Sequence, residues 1–255
     1  MRLSISFLIV LLHGALLAGC GLNQDKPDPT KDWSPQRIYS EAKSEIASGN
    51  NDKGIKLLET LQARYPYGRF AQQAQLDEAY AYYKADEVPQ ALAAADRFIK
   101  LHPNHPNVDY AFYLKGLCNF RDDLGPLGFF STDDLAERDP KAAKDSFDTF
   151  RELVTRYPQS RYAPDSIKRM NYLVNALATH EVKVADYYFR RGAYVAAANR
   201  AQEALNTYPQ APALEQALSI LVNSYQAMGL KDLAADAAKV LQKNFPQSKY
   251  LSGKS

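Results

Sequence analysis

Apolar positions along this chain fall on helical faces. Leu57, Leu58, Leu61 and Tyr65 are spaced i, i+1, i+4 and i+8. Ala91, Leu92, Ala95, Phe98 and Ile99 keep the same rhythm, as do Leu233, Ala237, Val240 and Leu241. Each set is one apolar stripe on a 3.6-residue helix. A proline follows each stripe and stops it, because proline lacks the amide proton and its ring clashes with the preceding turn. Further helical stretches, 72–84, 109–120 and 213–228, pair with the stripes. Turn residues separate partners, as in Ser48-Gly49-Asn50-Asn51, Asp86-Glu87 and Met228-Gly229. No segment of strand length alternates with period two. The pattern predicts an all-α chain of antiparallel helix pairs.

The pairs repeat. Tyr65-Pro66-Tyr67-Gly68-Arg69-Phe70, His102-Pro103-Asn104-His105, Tyr157-Pro158-Gln159-Ser160-Arg161-Tyr162, Tyr208-Pro209-Gln210-Ala211 and Phe245-Pro246-Gln247-Ser248-Lys249-Tyr250 are one phrase used five times. Their prolines stand 37, 55, 51 and 37 residues apart, so two intervals are equal and two carry insertions of 18 and 14 residues. Self-similarity of this period indicates a solenoid. Twelve residues before each proline stands a small residue: Gly54, Ala91, Ser146, Ala197 and Ala234. Twelve earlier stand Ala42, Ala79 and Ala185, with Gly116 matching if the insertion of 18 follows it. Small side chains at both places let paired helices approach closely. This spacing resembles the tetratricopeptide repeat (TPR). Val222 departs from it in the fifth repeat, and Glu41 and Glu78 stand where that family usually has Leu.

The expected architecture is therefore an all-α TPR solenoid of about five helix pairs with one loop insertion and one extra helix. Repeat one covers 35–70, repeat two 71–107, repeat three 108–162 with the insertion at 121–139, the extra helix and repeat four 163–212, and repeat five 213–255. The extra helix is placed near 165–179, where Ile167, Met170, Leu173, Val174 and Leu177 form a stripe, with the chain running on into Tyr187-Tyr188-Phe189.

The N-terminus reads as an address. Met1-Arg2, an apolar run from Leu3 to Leu12, and Leu17-Ala18-Gly19-Cys20 have the order of a secretory leader, and the run is too short for a membrane span. The last four residues resemble the bacterial lipobox. That resemblance implies removal of 1–19 and a covalent diacylglycerol and N-acyl lipid on Cys20, with no other cofactor. Several buried acyl chains, at about 0.8 kcal/mol per CH₂, make a stable anchor. Gly21, where the sorting pattern would have Asp to hold a protein at the inner membrane, points to the outer membrane, on its periplasmic face. Residues 20–34, polar and carrying Pro27 and Pro29, read as the lipidated Cys and a flexible tether.

Composition narrows the function. Charged residues are 24% of the chain and 17 Tyr with 11 Phe supply a core, so the chain is not a disordered one. Net charge is +2, and no Lys/Arg run exceeds a pair, which leaves a nucleic-acid partner without a basic patch. With Cys20 lipidated, Cys118 is the one remaining thiol, expected buried and inert. His102 and His105 sit in a proline turn with no carboxylate at metal-ligand spacing, and His180-Glu181 lacks the second His of a zinc-protease helix. No nucleophile elbow, phosphate loop or dinucleotide fingerprint occurs. The chain reads as a binding protein and not an enzyme.

Solenoids of this kind bind peptides in the concave face lined by their first helices. The repeat spacing puts Gln36, Tyr39, Lys43 and Ile46, then Gln73, Leu76, Tyr80 and Tyr83, then Tyr110, Tyr113, Leu117 and Phe120 on that face. Two readings stand: an aromatic groove for an unfolded, aromatic-rich segment, or ordinary inter-repeat core. In the insertion, Phe129 and Phe130 either fold back or face a partner. Arg190, Arg191 and Arg200 form a basic cluster that is either a solvated face or a docking surface for an acidic domain.

Several phrases go beyond the generic repeat. Arg64-Tyr65-Pro66-Tyr67-Gly68, Tyr80-Ala81-Tyr82-Tyr83-Lys84, Asp96-Arg97-Phe98-Ile99 with His105-Pro106-Asn107, Gly128-Phe129-Phe130, and Arg191-Gly192-Ala193-Tyr194-Val195-Ala196 with Asn199-Arg200 together resemble the BamD family. Its members are lipoproteins of the machinery that assembles β-barrels in the outer membrane. The resemblance spans nearly the whole chain. It implies a scaffold whose C-terminal repeats dock on BamA and on accessory Bam lipoproteins, while the N-terminal repeats receive unfolded outer-membrane protein precursors. It singles out Tyr65 for substrate contact, and Arg200 with Arg191 for docking. The alternative is another TPR scaffold of the cell envelope, acting on peptidoglycan or division proteins.

Overall fold

The protein, seen in a computed structural model, is described over residues 28–120 and 140–252. The described residues form ten α-helices: α1 (Pro35–Ala47), α2 (Asn51–Arg64), α3 (Arg69–Lys84), α4 (Val88–Leu101), α5 (Val108–Phe120), α6 (Pro140–Arg156), α7 (Ala163–Arg190), α8 (Tyr194–Thr207), α9 (Leu214–Ala227) and α10 (Lys231–Asn244). A single 3-10 turn, Lys249–Ser252, follows. Each helix packs on the next in sequence, and α1, α3 and α5 also touch in series, as do α7 and α9. This is the all-α solenoid of helix pairs that the spacing predicts.

The punctuation is physical and repeats. Helices α2, α4, α8 and α10 end on Tyr65, His102, Tyr208 and Phe245, with φ between −126° and −132° and ψ between 55° and 67°. Each precedes proline, whose ring excludes the helical conformation for the residue before it. Their own amides still donate to the carbonyl four residues back, so the ladder runs to the residue before the proline and stops there. Within pairs the chain turns through Gly49, Asp86, Gly192 and Gly229, at φ of 85°, 60°, 76° and 76°. Three of the four turns use the one residue without a Cβ penalty at positive φ; the second pair uses Asp, among the side chains that best tolerate it.

Close approach within pairs is also visible. Ala42, Ala79, Ala91, Ala185 and Ala197 are fully buried. A Cβ on Gly116 would lie 2.4 Å from the Phe150 ring, and one on Gly54 would lie 2.4 Å from Ile46. Ser146, also fully buried, donates its hydroxyl to the Gly116 carbonyl at 2.9 Å. The core runs as successive clusters: one around Ile38, Leu58 and Leu61, one around Phe98, Phe112 and Leu153, one around Phe150 and Leu173, and one around Val182, Leu214 and Ile220.

Three details differ from the sequence reading. The residues assigned to an extra helix are the first half of α7, one unbroken helix of 28 residues. Its apolar stripe continues in phase, so Leu173 and Leu177 pack on Phe120 and Phe150 while Val182 and Ala185 join the C-terminal cluster. Leu233 and Val240, read as part of a core stripe, are 48% and 45% exposed because no described helix pair follows α10 to cover them. Ile46, Leu76 and Phe120, read as groove lining, are core residues 7%, 1% and 4% exposed.

Glu78, standing where Leu is usual, is 5% exposed and satisfied from both neighbours. Gln62 of α2 donates to it at 2.7 Å, and Arg97 of α4 reaches both its oxygens at 3.3 Å. A buried carboxylate is tolerated because it is paired and hydrogen-bonded.

Candidate functional site

Tyr39, Tyr80, Tyr83, Tyr110 and Tyr113 stand on α1, α3 and α5, the first helices of their pairs. Tyr39 of α1 lies with its ring 5.6 Å from Phe70, and its hydroxyl donates to Asp77 Oδ2 of α3 at 2.7 Å. Lys43 meets the other Asp77 oxygen at 3.2 Å. Tyr80 and Tyr83 are half-buried against the cluster that includes Ala79, Ala95 and Leu114. Tyr110 of α5 packs 5.3 Å from Tyr162, and Tyr113 stacks on the same ring at 4.7 Å and 19°. The Tyr113 hydroxyl donates to Asp165 Oδ2 of α7 at 2.7 Å. Arg169 donates to that same oxygen at 2.7 Å and lies 4.6 Å over Phe120.

The electrostatics follow from these contacts. Burial, then the hydrogen bond to Asp77, pushes the Tyr39 phenol far above its ordinary range. Burial and Asp165 push Tyr113 up to about 12. Burial works to raise the Asp165 carboxyl, but hydrogen bonds from Arg169 and Tyr113 outweigh it and hold that group below its usual value. Desolvation raises Tyr110 as well. The Tyr39 and Tyr113 hydroxyls are thus committed to the internal carboxylates of Asp77 and Asp165. Asp77, Tyr162, Asp165 and Arg169 take part in these contacts and were not singled out from the sequence. Only Tyr162 carried a signal, as the last letter of the repeated proline phrase.

Tyr65 stands at the end of α2. Its hydroxyl donates to the Trp33 carbonyl at 3.0 Å. The neighbouring Arg64 grips Asp28 Oδ2 at 2.6 Å, the Lys31 carbonyl at 3.3 Å, and the Thr30 carbonyl. Thr30 is 7% exposed, and Arg37 lies 4.3 Å over the Trp33 ring. The segment read as tether is therefore held against repeat one from Asp28 onward.

The arginine cluster is internally partnered. Arg200 pairs with Glu181 at 3.1 Å, Arg190 with Asp186 at 2.9 Å, and Arg191 lies 5.4 Å over the Tyr187 ring. Near the C-terminal end, Leu205, Pro209, Pro212, Leu218, Val240 and Phe245 line a cleft of about 430 Å³. Cys118 is buried and its thiol is pushed up to about 12 by desolvation. No group of metal-ligating side chains is found among the described residues. Cys20, Phe129 and Phe130 lie outside the described residues.

Comparison with known proteins adds a family. Residues 31–241 match the YfiO family, described as an outer membrane lipoprotein. The chain is 46% identical over 248 residues to the outer membrane protein assembly factor BamD of Neisseria meningitidis serogroup A, covering 96% of this chain and 93% of that one. It is 39% identical over 234 residues to BamD of Vibrio cholerae, covering 92% and 96%. To BamD of Haemophilus influenzae it is 32% identical over 240 residues, covering 94% and 90%.

Proposed function

The chain belongs to the BamD family of outer membrane protein assembly factors, and on that premise we propose that it works as a non-enzymatic scaffold that holds unfolded barrel precursors. The N-terminal repeats receive the precursor segment and the C-terminal repeats dock on BamA, with accessory Bam lipoproteins beside them. A lipid on Cys20 ties the assembly to the periplasmic face of the outer membrane. The observation that carries the substrate half is the set of partly buried tyrosines on α1, α3 and α5, with Tyr162 stacked beside Tyr110 and Tyr113. Rings present large apolar area at low entropic cost and tolerate many sequences. The docking half is supported by the exposed apolar end of the solenoid and the arginines of α7 and α8.

No chemistry on the precursor is needed. Holding a segment near the barrel subunit raises its effective concentration there, and the membrane anchor adds a second tether. The test is a pull-down from membrane extract with the soluble chain, residues 21–255. The expected result is recovery of a BamA-like protein, weakened by Arg200→Gln. Glutamine is the sound substitution, because a reversed charge would face Glu181, 18% exposed in the native pair, and perturb the fold locally. Recovery of peptidoglycan or division proteins in place of the barrel subunit would overturn the reading.

A further inference from the structure

Arg64 and Tyr65, at the end of α2, hold the segment that precedes α1 through a cluster of hydrogen bonds. One guanidinium and one phenol hold Asp28 Oδ2 and the carbonyls of Thr30, Lys31 and Trp33. Arg64 Nη2 also approaches the Thr30 hydroxyl at 3.3 Å. Most of these acceptors are main-chain oxygens, which any peptide carries. The specific elements are a carboxylate at one end and an aromatic ring at the other, packed on the repeat-one cluster and under Arg37.

The segment is built as a separate piece. It lies outside every helix, and two turns shape it, Lys31 N–H to Asp28 O at 3.1 Å and Trp33 N–H to Thr30 O at 3.0 Å. Asp28 caps the first turn by accepting from the Thr30 amide and hydroxyl. Asp28, Pro29, Lys31 and Asp32 are exposed. Lifting the segment breaks no helix and uncovers Arg64 and Tyr65.

We propose that Asp28–Trp33 is a self-occupying strap. It fills the Arg64–Tyr65 site with the chain's own carboxylate, carbonyls and ring, and an incoming peptide with a carboxylate near an aromatic side chain displaces it. The inference rests on the scaffold reading for the source of that peptide and for the lipid anchor on Cys20. Displacement also changes the leash. With the strap seated, eight residues from Cys20 to Pro27 span at most about 26 Å; with it released, fourteen span about 45 Å. Occupancy of the site thereby sets how far repeat one stands from its anchor.

Trp33 is the only tryptophan in the chain, so the strap reports on itself. The experiment titrates the soluble chain, residues 21–255, with a dye-labelled peptide of sequence Asp-Pro-Thr-Lys-Asp-Phe, reading dye anisotropy and selectively excited Trp33 emission together. Binding is expected to shift Trp33 emission to the red. Asp28→Ala frees the site more of the time and is expected to bind the probe about fivefold tighter or more, since apparent affinity scales with the competent fraction. Asp28→Asn, which keeps an acceptor for Thr30 but drops the charge facing Arg64, moves the affinity the same way. Helical circular dichroism stays unchanged in both, because Asp28 is half exposed and outside the helices. Probe binding without a Trp33 shift, equal affinity in all three proteins, or no binding to any of them overturns the strap. Because the probe is the strap's own sequence with Phe in place of Trp33, such a failure leaves the scaffold reading to the pull-down.

Discussion

At the scale of single residues, two positions show how tightly local geometry is specified. Gly116 faces the fully buried Phe150 ring, which has no room to swing aside. Gly116→Ala is expected to destabilise by about 1–3 kcal/mol through overpacking, seen as a fall of several degrees in the thermal midpoint. Asp28 is the second. Hydrogen bonds from the Thr30 hydroxyl and amide, with help from Arg64 against the effect of desolvation, hold its carboxyl below the ordinary 3.8. A depressed folded value means that the contact contributes fully above the unfolded pKa and is lost as pH falls through the folded one. Trp33 emission is therefore expected to stay constant from neutrality down to about pH 4 and to shift red below it. A shift centred near neutrality would contradict the assignment to Asp28.

At the scale of elements, the joints between helices carry the polar chemistry. Tyr39 to Asp77 ties α1 to α3, Tyr113 to Asp165 ties α5 to α7, and Glu78 ties α3 to both α2 and α4. Replacing a buried ion pair by an apolar residue is often neutral or favourable, whereas removing one partner strands a charge. Glu78→Leu leaves Arg97 in solvent, its side chain being 51% exposed, and is expected to keep stability within about 1 kcal/mol of the native chain. Arg97→Ala is expected to cost about 1–3 kcal/mol, Gln62 remaining as the only donor among the described residues. Urea midpoints of the two variants decide it; the reverse order would mean that Glu78 is held for a reason other than its pairing. Helix α7 makes the other joint. Its unbroken length welds the third cluster to the fourth, so the second insertion changes the reach of the solenoid without interrupting it.

At the scale of the whole molecule, stability is nearly one-dimensional, because each pair leans on its neighbours and on little else. Leu241, 3% exposed in the last pair, packs where no described pair follows. Leu241→Ala is expected to cost about 2–5 kcal/mol, lost locally. In hydrogen exchange, α9 and α10 should lose protection while α1 to α4 keep theirs. Uniform loss across the chain would instead show a single cooperative unit. The same linearity sets the tyrosines of α1, α3 and α5 apart from the cleft beside Phe245 and the arginines of α7 and α8.

The sequence alone determined the helix pairs, their turns and their close contacts, since 3.6-residue stripes, prolines and small residues act through neighbours in the chain. It also carried the family, because Arg64-Tyr65-Pro66 and the phrases around Phe98 and Arg200 are contiguous. Tertiary structure decided the rest. Whether Tyr39 and Tyr113 have free hydroxyls depended on Asp77 and Asp165, 38 and 52 residues away. Whether residues 28–33 hang free depended on Arg64, whose guanidinium finds its partners 33 to 36 residues earlier. A hydrogen bond acts over about 3 Å, and only the stacking of repeats brings such distant positions that close.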